Sequence, residues 1–338
     1  MNKKSSFLYS PLFIKHLLNR LVLSGFLVLC GGQLLAESIH FIEAKKHFDN
    51  EEYLLAMLSA QQAVEEDGEQ ASYRHLYGVI LTELKQFSEA ESHLRKAVSL
   101  DPGNAEFQYR LGSTLLDQSQ AAMILKSMRV GLNFSRSEGI DTEGLQALEK
   151  SVELDGNHLE ARVRLGKAYT DQNRFDETLI QFKTVAQKAP RYPQIHSYLA
   201  VLYLELGMAI KAIQELTTEV KYYPDDAMSH LDLGDLLLQL AQPKLALKHL
   251  LITEEKSPDT PDLHYALAKA YRSLKQPRKA LASALKCVEL APESLSPRYL
   301  LSQLYHQNNQ IDKAREELKI ADKLKNRLTK TYRPPKAM

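Results

Sequence analysis

The feature that most constrains this chain is an internal period of 34 residues. Pro190, Pro224, Pro258 and Pro292 stand 34 apart, and Pro102 precedes Pro190 by 88, two periods plus 20. Placing each proline at position 32 sets repeat starts at 71, 159, 193, 227 and 261, and extending the frame adds 37, 105 and 295. Eight such repeats with one insertion of 20 fill residues 37–328. Two or three unrelated domains cannot be written this way. Each repeat can bury its apolar face only against its neighbours, so the array is expected to act as one cooperative body.

Within the period, the eighth position is always small: Ala44, Gly78, Gly112, Gly166, Ala200, Gly234, Ala268 and Ser302. The twentieth is Ala56, Ala90, Gly144, Ala212, Ala246, Ala280 and Ala314, with Thr178 the exception. The eleventh is Leu or Tyr in seven repeats (Tyr169, Tyr203, Tyr271 and Tyr305 among them) and His47 in the first. Apolar residues recur every three or four places in two runs broken near positions 14–16, which predicts two amphipathic helices joined by a short turn. The proline at position 32 ends the second helix.

This pattern resembles the tetratricopeptide repeat family, and the resemblance extends over 37–328. It implies an all-α fold, a right-handed superhelical solenoid of about eight helix–turn–helix units whose first helices line a concave groove. One departure runs through the array. The large residue usual at position 4 is replaced by His40, Arg74, Gln108, Arg162, His196, His230, His264 and Arg298. Positions 3 and 5, including Ile39, Phe41, Tyr109, Tyr265 and Tyr299, are expected to carry the packing instead.

Residues 1–36 form a separate segment. Lys3, Lys4, Lys15 and Arg20 precede an uncharged run from Leu21 to Ala36, with no acid before Glu37. A basic stretch before an apolar run of this length reads as a secretory signal, with cleavage after Gly32 or Ala36. An uncleaved N-terminal anchor is the alternative. Leu-Val-Leu-Cys-Gly around Cys30 also resembles a lipoprotein signal, although Leu29 stands where a small residue is wanted. The expected location is therefore periplasmic or secreted, with a membrane contact only through a retained anchor or a lipidated Cys30.

Composition removes several classes of function. The whole chain carries 43 basic and 42 acidic residues, which gives no footprint for nucleic acid. Without residues 1–36 the balance becomes 39 against 42, mildly acidic. Two cysteines exclude a disulfide framework and any four-cysteine metal centre. No His-Glu-x-x-His, Gly-x-Ser-x-Gly, phosphate-binding Gly-Lys loop or dinucleotide fingerprint is present, so no cofactor and no catalytic residue is expected.

The insertion, about 118–140, holds Met123, Ile124, Leu125, Met128, Leu132 and Phe134 beside Lys126, Arg129 and Arg136. It reads as an extra amphipathic helix, with an elongated helix pair as the bland alternative and a surface contact as the functional one. A divergent hydrolase would have to place its site here. Asn133-Phe134-Ser135 is a glycosylation sequon that matters only in a eukaryotic source. His196, His230 and His264 form a ladder one repeat apart, roughly 10 Å per step, too far to share a metal ion. They read as polar residues of a helix seam, and Cys287 as a buried structural thiol.

The functional expectation is a non-enzymatic scaffold or adaptor of the cell envelope that binds protein or peptide partners. The resemblance places positions 2, 5, 6, 9, 12 and 13 on the groove. Candidate lining residues are Tyr109, Arg110, Arg164, Lys167, Tyr198, Val201, Leu204, Leu231, Leu238, Tyr265, Lys269, Arg272, Tyr299 and His306. An apolar middle between basic and aromatic ends suits a peptide with some acidic groups. The asparagines with which chaperone-binding relatives clamp a terminal carboxylate are absent from position 9. The end of the chain, with a basic tail at 329–338, reads as a capping helix and a loose segment.

Overall fold

The computed structural model describes residues 27–30, 33–130 and 142–331, with side chains at 37–125 and 142–327. Among these are sixteen α-helices and one short antiparallel hairpin, β1 (Leu27–Cys30) with β2 (Gln33–Ala36), in which Leu27 pairs with Ala36 and Cys30 with Gln33. The hairpin lies within the uncharged run Leu21–Ala36. Among the described residues every regular element after it is a helix: α1 (Ile39–Asp49), α2 (Tyr53–Glu66), α3 (Ala71–Glu83), α4 (Phe87–Leu100), α5 (Ala105–Val130), α6 (Thr142–Leu154), α7 (Leu159–Asp171) and α8 (Phe175–Lys188). They continue with α9 (Ile195–Glu205), α10 (Ala209–Tyr222), α11 (Ala227–Gln239), α12 (Pro243–Lys256), α13 (Pro261–Ser273), α14 (Pro277–Leu290), α15 (Leu295–Gln307) and α16 (Ile311–Thr331). First helices begin at the predicted repeat starts, apart from α1 and α9, which begin two residues later. The last helix runs three residues into the expected tail.

Two compact bodies divide the chain, one ending at Arg174 and one beginning at Phe175, a boundary inside the fourth repeat. From α1 to α7 in the first body, and from α8 to α16 in the second, each helix packs against the next. This is nearest-neighbour burial of the kind that repeat physics requires.

Close crossing explains the small residues. Ala44, Ala56, Ala90, Ala212, Ala246, Ala268 and Ala280 are fully buried. A Cβ on Gly78 would lie 2.6 Å from Leu94 Cγ, and one on Gly234 2.7 Å from Leu250 Cδ2. On Gly112 it would lie 2.7 Å from the carbonyl oxygen of Gly144, so position 8 meets position 20 at backbone distance. Position 3 supplies the packing, with Tyr73, Phe107, Ala161, Ile195, Leu263 and Pro297 buried. Ile39 is the exception, at 65% exposed, because no helix pair precedes it among the described residues.

The turn inside each repeat closes on a left-handed residue at position 15. Glu51, Lys85, Asn173, Gly207, Ala241, Lys275 and Asn309 all have φ between 55° and 70°. In each, the next amide donates to the carbonyl five residues back, as Gln242 N does to Leu237 O at 2.8 Å, the bond that closes a Schellman turn. Only one of the seven is glycine. In the third repeat the link between the two helices lies outside the described residues. The first helix of this repeat carries no proline and no glycine after Gly112, so α5 runs unbroken for 26 residues to Val130, just before Gly131. The described part of the insertion, residues 118–130, therefore elongates a first helix. Met123 is half-buried and Ile124 and Leu125 are exposed. Met128 and Arg129 lie on this helix beyond the described side chains, and Leu132, Phe134 and the sequon lie outside the described residues.

The polar residues at position 4 have a common task. Arg74 Nε donates to Gly68 O at 2.8 Å, Arg162 Nε to Gly156 O at 3.0 Å, and Arg298 Nε to Pro292 O at 2.8 Å. The ring Nε2 of His196, His230 and His264 donates in the same way to Pro190, Pro224 and Pro258 O, at 3.1, 3.1 and 2.8 Å. The accepting carbonyl is always position 32 of the preceding repeat. Four of these side chains also reach position 23 of their own second helix: Arg74 to His93, His196 to Glu215, His230 to His249 and Arg298 to Glu317. Each histidine of the ladder is thus engaged within its own seam.

Position 27 caps the start of the first helix from the other side. Ser151, Thr253 and Cys287 donate to the carbonyls of Ala105, Ala227 and Pro261, at 2.7, 3.1 and 3.2 Å. Cys287 is 1% exposed, and burial pushes its thiol up to about 11. Glu219, at the same position, instead accepts from the amides of Gln194 and His196, both at 3.1 Å, at the late start of α9.

The His196 clasp titrates. Its two ring nitrogens face a carbonyl and a carboxylate, so both are donors only in the imidazolium form, and the bond to Glu215 holds its pKa above the ordinary 6.5 against desolvation. The charged clasp contributes fully below pH 6.5 and fades as pH rises through the higher folded value. Glu215→Gln is expected to cost about 1–2 kcal/mol at pH 6 and clearly less at pH 9, read from urea unfolding at the two pH values.

Candidate functional site

In the N-terminal body, α3, α5 and α7 lie side by side and enclose a pocket of about 200 Å³. Its walls are Val79, Thr82 and Glu83 from α3, Tyr109, Arg110, Ser113, Thr114 and Asp117 from α5, and Arg164 from α7. Seen in the repeat frame, these are mostly positions 5, 6, 9, 12 and 13 of first helices, those assigned to a groove. The structure brings Tyr109, Arg110 and Arg164 together here. Lys167, one turn beyond Arg164 on α7, is half-buried and not part of the lining.

Both arginines are already engaged. Arg110 Nε donates to Glu106 Oε1 at 2.6 Å, and its guanidinium lies 5.1 Å from the Tyr109 ring centroid. Glu106 also receives His158 Nε2 at 2.9 Å. Against the desolvation that opposes ionisation, His158 and Arg110 hold the Glu106 carboxyl down to about 2, and Glu106 in turn raises His158. Arg164 pairs with Asp117 through Nη2, which also faces Ser113 O at 3.4 Å. Its Nε is buried with no hydrogen-bond partner, as is Ser113 Oγ.

The C-terminal body carries the other candidates on α9, α11, α13 and α15. Val201 and Leu204 face solvent, 52% and 41% exposed, and Met228 on α11 is 64% exposed. Leu231, Leu238 and Tyr265 are half-buried against the core formed around Leu263, Leu267 and Leu300, so part of each serves the solenoid. Tyr198 is half-buried, its ring 5.6 Å from Phe182. Lys269 reaches Asp235 Oδ1 at 2.8 Å and sits 5.4 Å over the Tyr265 ring, while Arg272 donates to Gln303 Oε1 at 2.7 Å. Tyr299 is half-buried and His306 exposed.

Sequence reasoning selected the cations and missed their partners, Glu106, Asp117 and Asp235. It also missed Asp232, whose carboxyl is pushed up by desolvation and by the neighbouring Asp226 and Asp235. The partners share the same helical frame, at positions 2, 13, 9 and 6, and could have been read by taking groove positions as charge pairs between neighbouring repeats.

The match to known proteins follows the same frame. The family model of the tetratricopeptide repeat fits residues 71–104 and 261–294, the second and seventh repeats. Over these two stretches the chain carries tetratricopeptide repeats. Among solved structures, the Pseudomonas aeruginosa PilF chain superposes with a TM-score of 0.55 at 15% identity, over 70% of this chain and 100% of that one. A MamA fragment from Desulfovibrio magneticus RS-1 gives 0.48 at 22% identity, over 51% and 97%. YrrB, described as a tetratricopeptide-repeat protein with an unusual peptide-binding site, gives 0.47 at 17%, over 60% and 95%. At these identities the likeness to PilF speaks for the fold alone. No curated protein matches the chain.

One first-helix residue of this tetratricopeptide array sets an acid limit. His75 stacks on Phe107, centroids 4.6 Å apart, with Nε2 buried and unpartnered. Burial holds its pKa down to about 4, against the upward pull of Glu106 and with a smaller downward push from Arg110. A depressed histidine costs nothing above pH 6.5 and increasingly opposes folding as pH falls from 6.5 to 4, by up to roughly 3 kcal/mol. His75→Phe is expected to remove that slope, measured as the unfolding free energy between pH 7 and 4 compared with the unmodified chain.

Proposed function

We propose that this tetratricopeptide-repeat chain is an exported, non-enzymatic scaffold of the cell envelope that binds protein or peptide partners through its first-helix faces. One observation carries the reading. Val201, Leu204 and Met228 are apolar residues presented to solvent from groove positions 9, 12 and 2 of two neighbouring first helices, where the solenoid has no packing use for them. Exposed apolar side chains on a concave helical surface are anchors for an extended or helical segment. The paired state of Arg110, Arg164 and Lys269 shifts the expected partner away from strongly acidic peptides toward apolar and neutral ones.

Export rests on the basic and then uncharged run of residues 1–36. Among the described residues, no helix is long and apolar enough to cross a membrane. A tether therefore depends on the leader, either uncleaved or lipidated at Cys30, and this is the second reading. Tetratricopeptide-repeat proteins are typically non-enzymatic, and the described part of the insertion, residues 118–130, continues the helix α5.

Val201→Asp with Leu204→Asp is expected to reduce crosslinked partner recovery at least tenfold with an unchanged thermal midpoint, since both side chains already face water. Unchanged recovery would remove the C-terminal face from the account. Intact mass of the exported protein, beginning near Gln33 or Glu37, distinguishes the soluble form from the tethered one.

A further inference from the structure

We infer that the first-helix face of the C-terminal body binds an apolar segment carrying a lysine or arginine beside its anchors, an inference that rests on the scaffold reading above. It refines the partner named there, which becomes cationic instead of neutral at the residues flanking its apolar contacts. Two helices of this face repeat one arrangement. On α9, Val201 is followed four residues later by Glu205, and on α11 Met228 is followed four residues later by Asp232. At that spacing an apolar residue and an acid share one side of each helix. All four side chains are exposed. Ser197 Oγ lies 3.2 Å from Ser229 Oγ, which sets α9 alongside α11. One turn further along each helix stand Val201 and Asp232, so the acid of one helix is level with the apolar residue of the other.

Charge decides what these apolar residues are built to meet. Among the described residues neither Glu205 nor Asp232 has a hydrogen bond or a salt bridge. The other acids near them are occupied. Asp226 accepts from the Ser229 amide at 3.2 Å, and Asp235 from Lys269 at 2.8 Å and Gln239 at 2.9 Å. The cations of the face stand on α13 and are turned elsewhere, Lys269 to Asp235 and Arg272 to Gln303. Both unanswered acids sit where the fold gains nothing from them. Glu205 is the last residue of α9, at the negative end of the helix. Desolvation and the neighbouring Asp226 and Asp235 push the Asp232 carboxyl up. An arriving cation relieves that repulsion, and an arriving carboxylate adds to it. A phosphate backbone or an anionic membrane would be repelled in the same way, which leaves a basic and apolar protein segment as the occupant.

The test uses the full chain and three fluorescein-labelled dodecapeptides, with binding read from fluorescence anisotropy. The peptides share one sequence with leucine at every third or fourth position, and differ only in carrying lysine, glutamine or glutamate at two positions between the leucines. The expected result is saturable binding of the lysine peptide, about fivefold tighter than the glutamine one, with the glutamate peptide weakest. In Glu205→Gln with Asp232→Asn the three affinities are expected to converge on that of the glutamine peptide. Both acids face water without a partner, so the double variant folds as the parent does. A thermal melt checks that, and either single variant, with a smaller effect in the same direction, serves in its place. No saturable binding of the lysine peptide overturns the inference. So does a glutamine or glutamate peptide that binds as tightly, or a lysine preference that survives the double variant. Val201→Ser with Leu204→Ser is expected to weaken all three peptides, and a lysine peptide bound at full strength there also overturns it. Crosslinked partner recovery on the same variants separates this inference from the reading beneath it. Recovery that depends on Val201 and Leu204 but not on Glu205 and Asp232 defeats the basic partner and leaves the scaffold. A selective lysine peptide with no recovered partner supports the site and counts against the scaffold.

Discussion

The fold depends on how closely two helices of a repeat can approach. At the crossing, position 8 of the first helix meets position 20 of the second, and the residues there are glycine, alanine or serine wherever the pair lies within one body. In the third repeat two glycines face each other, Gly112 against the Gly144 carbonyl, with Leu148 closing the contact. That separation places the leucines of position 24, such as Leu94, Leu148 and Leu250, fully inside the pair. Dispersion and apolar burial then follow from geometry that only a small side chain permits.

Around this crossing the chain satisfies its backbone with a fixed set of polar devices. A left-handed residue at position 15 closes the inner turn. An arginine or histidine at position 4 ties the outer turn to the next repeat. Position 27 supports the start of the first helix. Because these tasks belong to positions 4, 15 and 27, the positions assigned to the groove are left to vary. The result is a surface whose chemistry differs along the chain: a polar, charge-balanced pocket in the N-terminal body and exposed Val201, Leu204 and Met228 in the C-terminal one.

Repeat starts, helix pairs and the buried role of positions 8 and 20 were legible in the sequence because they recur with the period. The inner turn was not, since glycine appears once among seven left-handed residues and Glu51, Lys85 and Lys275 give no local sign of φ above zero. At position 4 the sequence showed a departure from the family pattern and polar residues of a helix seam, but not what they bond. Their acceptor is a main-chain carbonyl, and a carbonyl has no letter in a sequence. For the insertion the apolar spacing left an extra helix and an elongated pair both open, and the described part, with no breaker between Gly112 and Gly131, continues the first helix. For the site, the cations were found and their charges overcounted, because Glu106, Asp117 and Asp235 lie on the same faces and neutralise them.

The close crossing is tested most directly by the urea unfolding of Gly112→Ala. The added methyl would lie against the Gly144 carbonyl and the backbone of Leu148, neither of which can swing away, so unfolding free energy is expected to fall by about 1–3 kcal/mol. In an open helix interior the same substitution stabilises by roughly 0.5–1 kcal/mol. A rise of that size would contradict the account, because it would mean that the two helices do not meet at backbone distance.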